Sequence, residues 1–203
     1  MKTTLSFPPC GTDIPYFDPT EFDPAERHEY VDLRTNPAGI DELPELAKEP
    51  RFKDYLLQIN GADTIFQSFG CNFSFFPGEE EVIGPPIPPS KEPQKQRQAE
   101  VANSYVHVGF ADLNRCTNLD DYYRLAGRLC KHLHGQPDFA ESEDENEYFN
   151  LEIGLETLRM NGEDKGFILA LTCDTLGWDE QEAKDRWAAL METISHYLAN
   201  EKL

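Results

Sequence analysis

Apolar and polar side chains alternate strictly from Phe149 to Glu156. Phe149, Leu151, Ile153 and Leu155 are interleaved with Asn150, Glu152, Gly154 and Glu156. A period of two is that of a strand with one buried and one wet face. Asn161-Gly162 is the dipeptide of a tight hairpin turn, and Phe167 to Cys173 reads as the returning strand, apolar enough to be covered on both faces. The period then changes. Trp187, Leu190, Met191, Ile194 and Leu198 fall on one stripe of a helix, with Asp179 as its N-cap and Glu182 positioned to close a capping box.

The same order can be read upstream. Pro50 opens a short helix with Phe52, Tyr55, Leu56 and Ile59 on one face, stopped by Asn60-Gly61. Thr64 to Phe76 is a strand rich in phenylalanine, bent at Gly70. Tyr105 to Phe110 is a second strand, with Val106, Val108 and Phe110 on one side and Tyr105 and His107 on the other. Asn118 then caps a helix striped with Tyr122, Leu125, Ala126, Leu129 and Leu133, which Gly135 and Pro137 stop. Strand, strand, helix therefore occurs twice. The expected fold is α+β: an antiparallel sheet of about four or five strands with two long helices on one face.

Two stretches lack such periods. Residues 1–49 are broken by seven prolines, yet carry Phe7, Ile14, Tyr16, Phe17, Phe22 and Tyr30. They predict an irregular arm ordered by its aromatics over a single domain spanning 50–203. From about 77 to 100 the run Gly84 to Pro89, followed by Lys91, Lys95 and Arg97, predicts a long flexible polyproline-like loop with a basic tip.

Charge changes the picture most. Thirty-eight acidic against 18 basic residues leave a net charge of −20. Such a field opposes a phosphate backbone and excludes nucleic acid as a direct ligand. It is uneven as well: residues 104–135 carry +1, whereas residues 136–203 carry −12. Five carboxylates, Glu141, Glu143, Asp144, Glu145 and Glu147, fall within seven residues, and Glu152 and Glu156 continue them along the wet face of the next strand. These seven residues are the candidate surface for a positively charged protein partner, because a charged rim accelerates capture.

Chemistry is harder to find. Cys130, His132 and His134 lie close together, but residues two apart on a helix point about 200° apart, so only Cys130 and His134 share a face. That is no zinc site, and neither a metal nor a cofactor is expected. A cysteine nucleophile at Cys71, Cys116 or Cys173 would need His107 across the sheet. Glu152 and Glu156, with Gly154 between them, have the spacing of an acid–base pair, but the alternation already accounts for them as the solvent face. No serine elbow, phosphate-cradling loop or dinucleotide fingerprint is present, so no catalytic residue is assigned and no enzyme expected. Five cysteines without paired spacing fit reduced thiols. No apolar run approaches the roughly 20 residues of a membrane span, and the N-terminus has no apolar signal core, which together predict a cytoplasmic protein that does not enter a membrane.

Acidity, missing catalytic motifs and exposed acidic and aromatic segments give a profile that resembles bacterial immunity proteins in general. That resemblance implies an antitoxin-like protein neutralising a basic toxin or effector enzyme. The order of elements over residues 50–200 is also similar to that of small acidic type III secretion chaperones, from which the arm and the proline loop depart. That second resemblance implies an adaptor binding an effector segment.

Overall fold

The computed structural model describes residues 1–7, 11–14, 30–47, 49–77, 99–139 and 149–203. Two short strands open the chain, β1 (Lys2–Ser6) and β2 (Gly11–Ile14). They are followed by α1 (Arg51–Ile59), β3 (Phe66–Pro77), β4 (Glu100–Phe110), α2 (Leu119–His134), β5 (Phe149–Met160), β6 (Glu163–Gly177) and α3 (Glu180–Asn200). The fold is α+β, as the two periods require. The sheet is mixed and six-stranded, in the order β1-β5-β6-β4-β3 with β2 also on β5.

Two expectations are corrected here. The antiparallel core β3-β4-β6-β5 forms as the alternation predicts, but β1 and β2 add to the outer edge of β5 in parallel, Lys2 facing Asn150 and Ile14 facing Met160. Residues 2–6 and 11–14 are therefore strand rather than irregular arm. Their segments of five and four residues are polar and flanked by prolines, too short for a period, and only docking on β5 makes them strands. The second correction concerns helices: three lie on the sheet, not two, because α1 packs on α3.

Local signals hold elsewhere in detail. Asn161 and Gly162 both take positive φ, 53° and 81°, as a two-residue hairpin turn demands. The β3–β4 register slips between Ser68 and Gly70, which leaves Phe69 as a bulge at the predicted bend. At the start of α3 the Asp179 carboxylate accepts from the Glu182 amide at 2.9 Å, and Glu182 reaches back to the Trp178 amide at 2.7 Å. Asn118 occupies the N-cap of α2 but makes no side-chain cap bond. Asp120 and Asp121 instead place negative charge in that first turn, where the macrodipole is positive.

The core is centred on Trp187, which is fully buried. Its ring packs on Phe52 of α1 and Phe73 of β3 with centroids 5.3 and 4.7 Å away, and its Nε1 donates to Ser104 Oγ of β4 at 2.7 Å. Tyr122 of α2 stacks edge-on against Phe110, 5.0 Å between centroids, and donates its hydroxyl to the Phe167 carbonyl. Ser104, Phe110, Phe73 and Phe167 share one side of the pleat, so all three helices cover the same face.

Polar groups inside this layer are satisfied. Asn60 donates to the Leu56 carbonyl and Ser68 Oγ and accepts from the Ser68 amide, tying the end of α1 to β3. Arg34 is the anchor of the upstream segment, its guanidinium donating to the carbonyls of Gly61, Ala62 and Phe66. Of the aromatics expected to order that segment, Tyr30 stacks on Phe69 at 6.1 Å, while Tyr16, Phe17 and Phe22 lie outside the described residues. Among the described residues no helix is long and apolar enough to cross a membrane.

Trp187→Ala should destabilise the fold by about 3–5 kcal/mol, the range for emptying a buried aromatic site. Ser104→Ala should cost about 1–3 kcal/mol, because the indole N–H loses its partner without access to water. Denaturant unfolding at constant m-value reads both. A Ser104→Ala variant as stable as wild type would show that the bond is dispensable.

Candidate recognition face

Where the helices cover one side of the sheet, the pleat sends every second residue to the other. Cross-strand register arranges these residues in rows. Asn150, Asp174 and Asn103 form the first, and the Asp174 carboxylate accepts from both amides, that of Asn150 at 3.0 Å. Glu152, Thr172, Tyr105 and Asn72 form the second. In the third, His107 is flanked by Ala170 and Gly154 on one side and Gly70 on the other, small residues that leave its ring the room.

Glu156 stands one pair beyond Gly154 and turns toward this histidine, its Oε2 3.8 Å from His107 Nε2. The same oxygen accepts from Thr12 Oγ1 at 2.5 Å. Both side chains are largely enclosed, 13% and 15% exposed. Glu152 is exposed as the alternation predicts, whereas Glu156 is not a solvent-face residue. The reason is β2. By pairing with β5 it brings Thr12 over the Glu156 carboxylate, a neighbour no local pattern announces.

Burial lowers the pKa of His107 below its ordinary value; the Glu156 carboxylate opposes that shift without cancelling it. A neutral imidazole beside a carboxylate can pass a proton. However, the Thr12 hydroxyl is attached to the acid and not to the base. The hydroxyl therefore donates to the carboxylate, with the imidazole 3.8 Å beyond it, and this contact does not activate it through the histidine as a nucleophile.

The other sequence candidates separate. Glu141, Glu143, Asp144, Glu145 and Glu147 lie outside the described residues. Cys71 pairs with Val106 and Cys173 with Ser104, which puts both thiols on the helix side, across the sheet from His107. Cys116 is buried and donates to the Phe110 carbonyl. Burial raises the pKa of Cys116 and Cys173, leaving poorly nucleophilic thiols. On α2, His134 meets Thr3 Oγ1 at 3.2 Å and His132 packs on the Tyr197 ring at 4.9 Å. Among the described residues no group of three or more His, Cys, Asp or Glu is placed to hold a metal ion. The sequence reading missed Asp174, Asn103 and Asn150. The only available signal was the alternation of β4 and β6 on their wet side, which cannot be joined into rows without the register.

Protein-family models, curated proteins and solved structures were compared with the chain, and none matches.

His107 should titrate below 6.5, the ordinary histidine value. Glu156→Gln should lower it further, since the carboxylate is the group holding it up. Because the folded value lies under the unfolded one, the unfolded chain binds more protons in that window. The contribution of His107 to stability is therefore complete above about pH 6.5 and is lost as pH falls through the folded value. Proton NMR of the imidazole reads the shift; a value above 6.5 would contradict the burial argument.

Proposed function

We propose that this chain is a neutralising binder, an immunity- or antitoxin-like protein that captures a basic toxin or effector enzyme and is not itself a catalyst. One observation carries the reading: in a chain of net charge −20, the part of the sheet face opposite the helices that holds the first two rows presents the exposed Glu152 and the half-buried Asp174 among amides and hydroxyls. Half-satisfied carboxylates on a rigid sheet suit arginine and lysine partners, which add charge-assisted bonds without reorganising the surface.

The acidic run is bracketed in sequence by two aromatics that pack on the helix side of the sheet. It joins Phe139 to Phe149, whose rings pack edge to face with centroids 5.0 Å apart, and Asn150 of the first row follows directly. In this reading Glu141, Glu143, Asp144, Glu145 and Glu147, which precede Glu152 in the sequence, contribute their charge to the docking of the same partner. Cytoplasmic capture is the setting this proposal requires, with association rates raised toward ~10⁸ M⁻¹s⁻¹ by the field.

A second reading, an enzyme, has one observation behind it: His107 lies against Glu156 in a poorly hydrated setting. The bonding order at Thr12 counts against it. His107→Ala separates the two, because a binder keeps its partner and a general base loses its reaction.

Co-expression with genetically neighbouring basic proteins should recover a tight complex and rescue growth from the toxic one. Reversing charge at Glu143, Asp144 and Glu145 should slow association at least about tenfold while changing dissociation less. Salt should weaken the wild-type complex more than the reversed one. Stopped-flow mixing reads both, and an unchanged association rate would remove the acidic run from the interface.

A further inference from the structure

The strand edge at β1 and the outer surface of α2 differ in character from the rest of the molecule. Leu5, Phe7 and Tyr123 are exposed by 48%, 56% and 44%, large values for apolar side chains. The Phe7 and Tyr123 rings touch at 6.0 Å, and Thr3 meets His134 eleven residues further along α2. β1 therefore lies antiparallel to α2, pinned at both ends, with Leu5 between them. At that level α2 presents Gly127, where an added Cβ would meet nothing within 4 Å. The result is an open slot with a glycine floor and apolar walls.

The rim has the opposite sign to the protein. Arg124, Arg128 and Lys131 follow one another on the exposed side of α2; among the described residues Arg124 and Lys131 have no acidic partner, and only Arg128 is tied, to Glu201 at 2.9 Å. Among the described residues the backbone of β1 pairs with β5 alone, which makes it an edge strand of the sheet.

We infer that the slot between β1 and α2 is a second docking site, which takes an extended acidic–aliphatic peptide segment of a partner protein as a further strand on β1. Backbone pairing would supply affinity, with alternate side chains entering the slot. Charge selects the occupant. A second copy would bring another −20, and a nucleic acid would run past three cations into the same repulsive field. A short acidic peptide carries far less charge than either and meets Arg124 and Lys131 of the rim directly. This site is independent of the polar sheet face proposed above.

The probe is a fluorescein-labelled ten-residue peptide alternating leucine and glutamate. Two controls accompany it, one with lysine for glutamate and one with alternate backbone amides methylated. Saturable binding of the first alone, with amide shifts confined to Lys2–Phe7 and α2, is the expected result. The double variant Arg124→Glu, Lys131→Glu should weaken binding at least tenfold. Gly127→Leu should abolish it while thermal unfolding stays at or above wild type, since leucine favours the helix and the space there is open. Absence of saturable binding, equal binding of either control, or shifts at the β3 edge would overturn the site. So would indifference to Gly127→Leu, or a wild-type dimer that hides the β1 amides.

Discussion

The buried indole of Trp187 is the contact on which the rest of this structure depends. An aromatic of that size can be buried only where several elements meet, and here helix α3, helix α1 and strands β3 and β4 all supply part of its site. Because its N–H must also be satisfied, the position of Ser104 on the pleat sets which side of the sheet the helices occupy. Once α3 is there, α1 follows through Phe52, and α2 joins the same layer through Phe110 and Tyr122. One-sided burial is therefore a consequence of how few places can hold the indole, and it determines what the opposite face is free to become.

That opposite face is divided: Ile168, Leu158 and Phe69 are buried on it, while the rows of Asp174 and Glu152 are polar and are ordered because the register puts complementary groups side by side. Asp174 is held between two amides, and Glu156 is enclosed between a hydroxyl and an imidazole, while Glu152 is left open. Fixed anions on a rigid sheet are a better template for cationic partners than the same charges on free side chains, since less side-chain entropy is lost on docking. The molecule's charge is divided in the same sense. Acid dominates the sheet face, while the cations of the exposed side of α2 stand beside the open edge of β1, so two partners of opposite sign can be told apart by position.

Pattern in the sequence was enough for the elements with strong periods. The helical stripe through Trp187 and Leu198, the hairpin at Asn161-Gly162 and the alternation of Phe149 to Glu156 each encode local geometry in a few contiguous residues, and each is present. Asn118 shows the limit of that code: its type and position suit a cap, but no side-chain bond forms, and Asp120 and Asp121 supply the charge at that end of the helix. The candidate site was legible only in part. Glu152 and Glu156 follow from alternation, yet their different fates follow from Thr12, well over a hundred residues away in the chain.

By itself, then, the amino-acid sequence determined the types and order of the helices and long strands from residue 50 onward, the α+β class and the excess of anions, because all of these reside in local periodicity or in composition. Tertiary structure alone decided that residues 2–6 and 11–14 join the sheet in parallel, that Cys71 and Cys173 face away from His107, and that Glu156 is enclosed while Glu152 is open. The physical reason is the same in every case. Pairing across a sheet is a contact between segments far apart in the chain, stabilised by whichever edge and register bury the most, and no short window of residues carries that information.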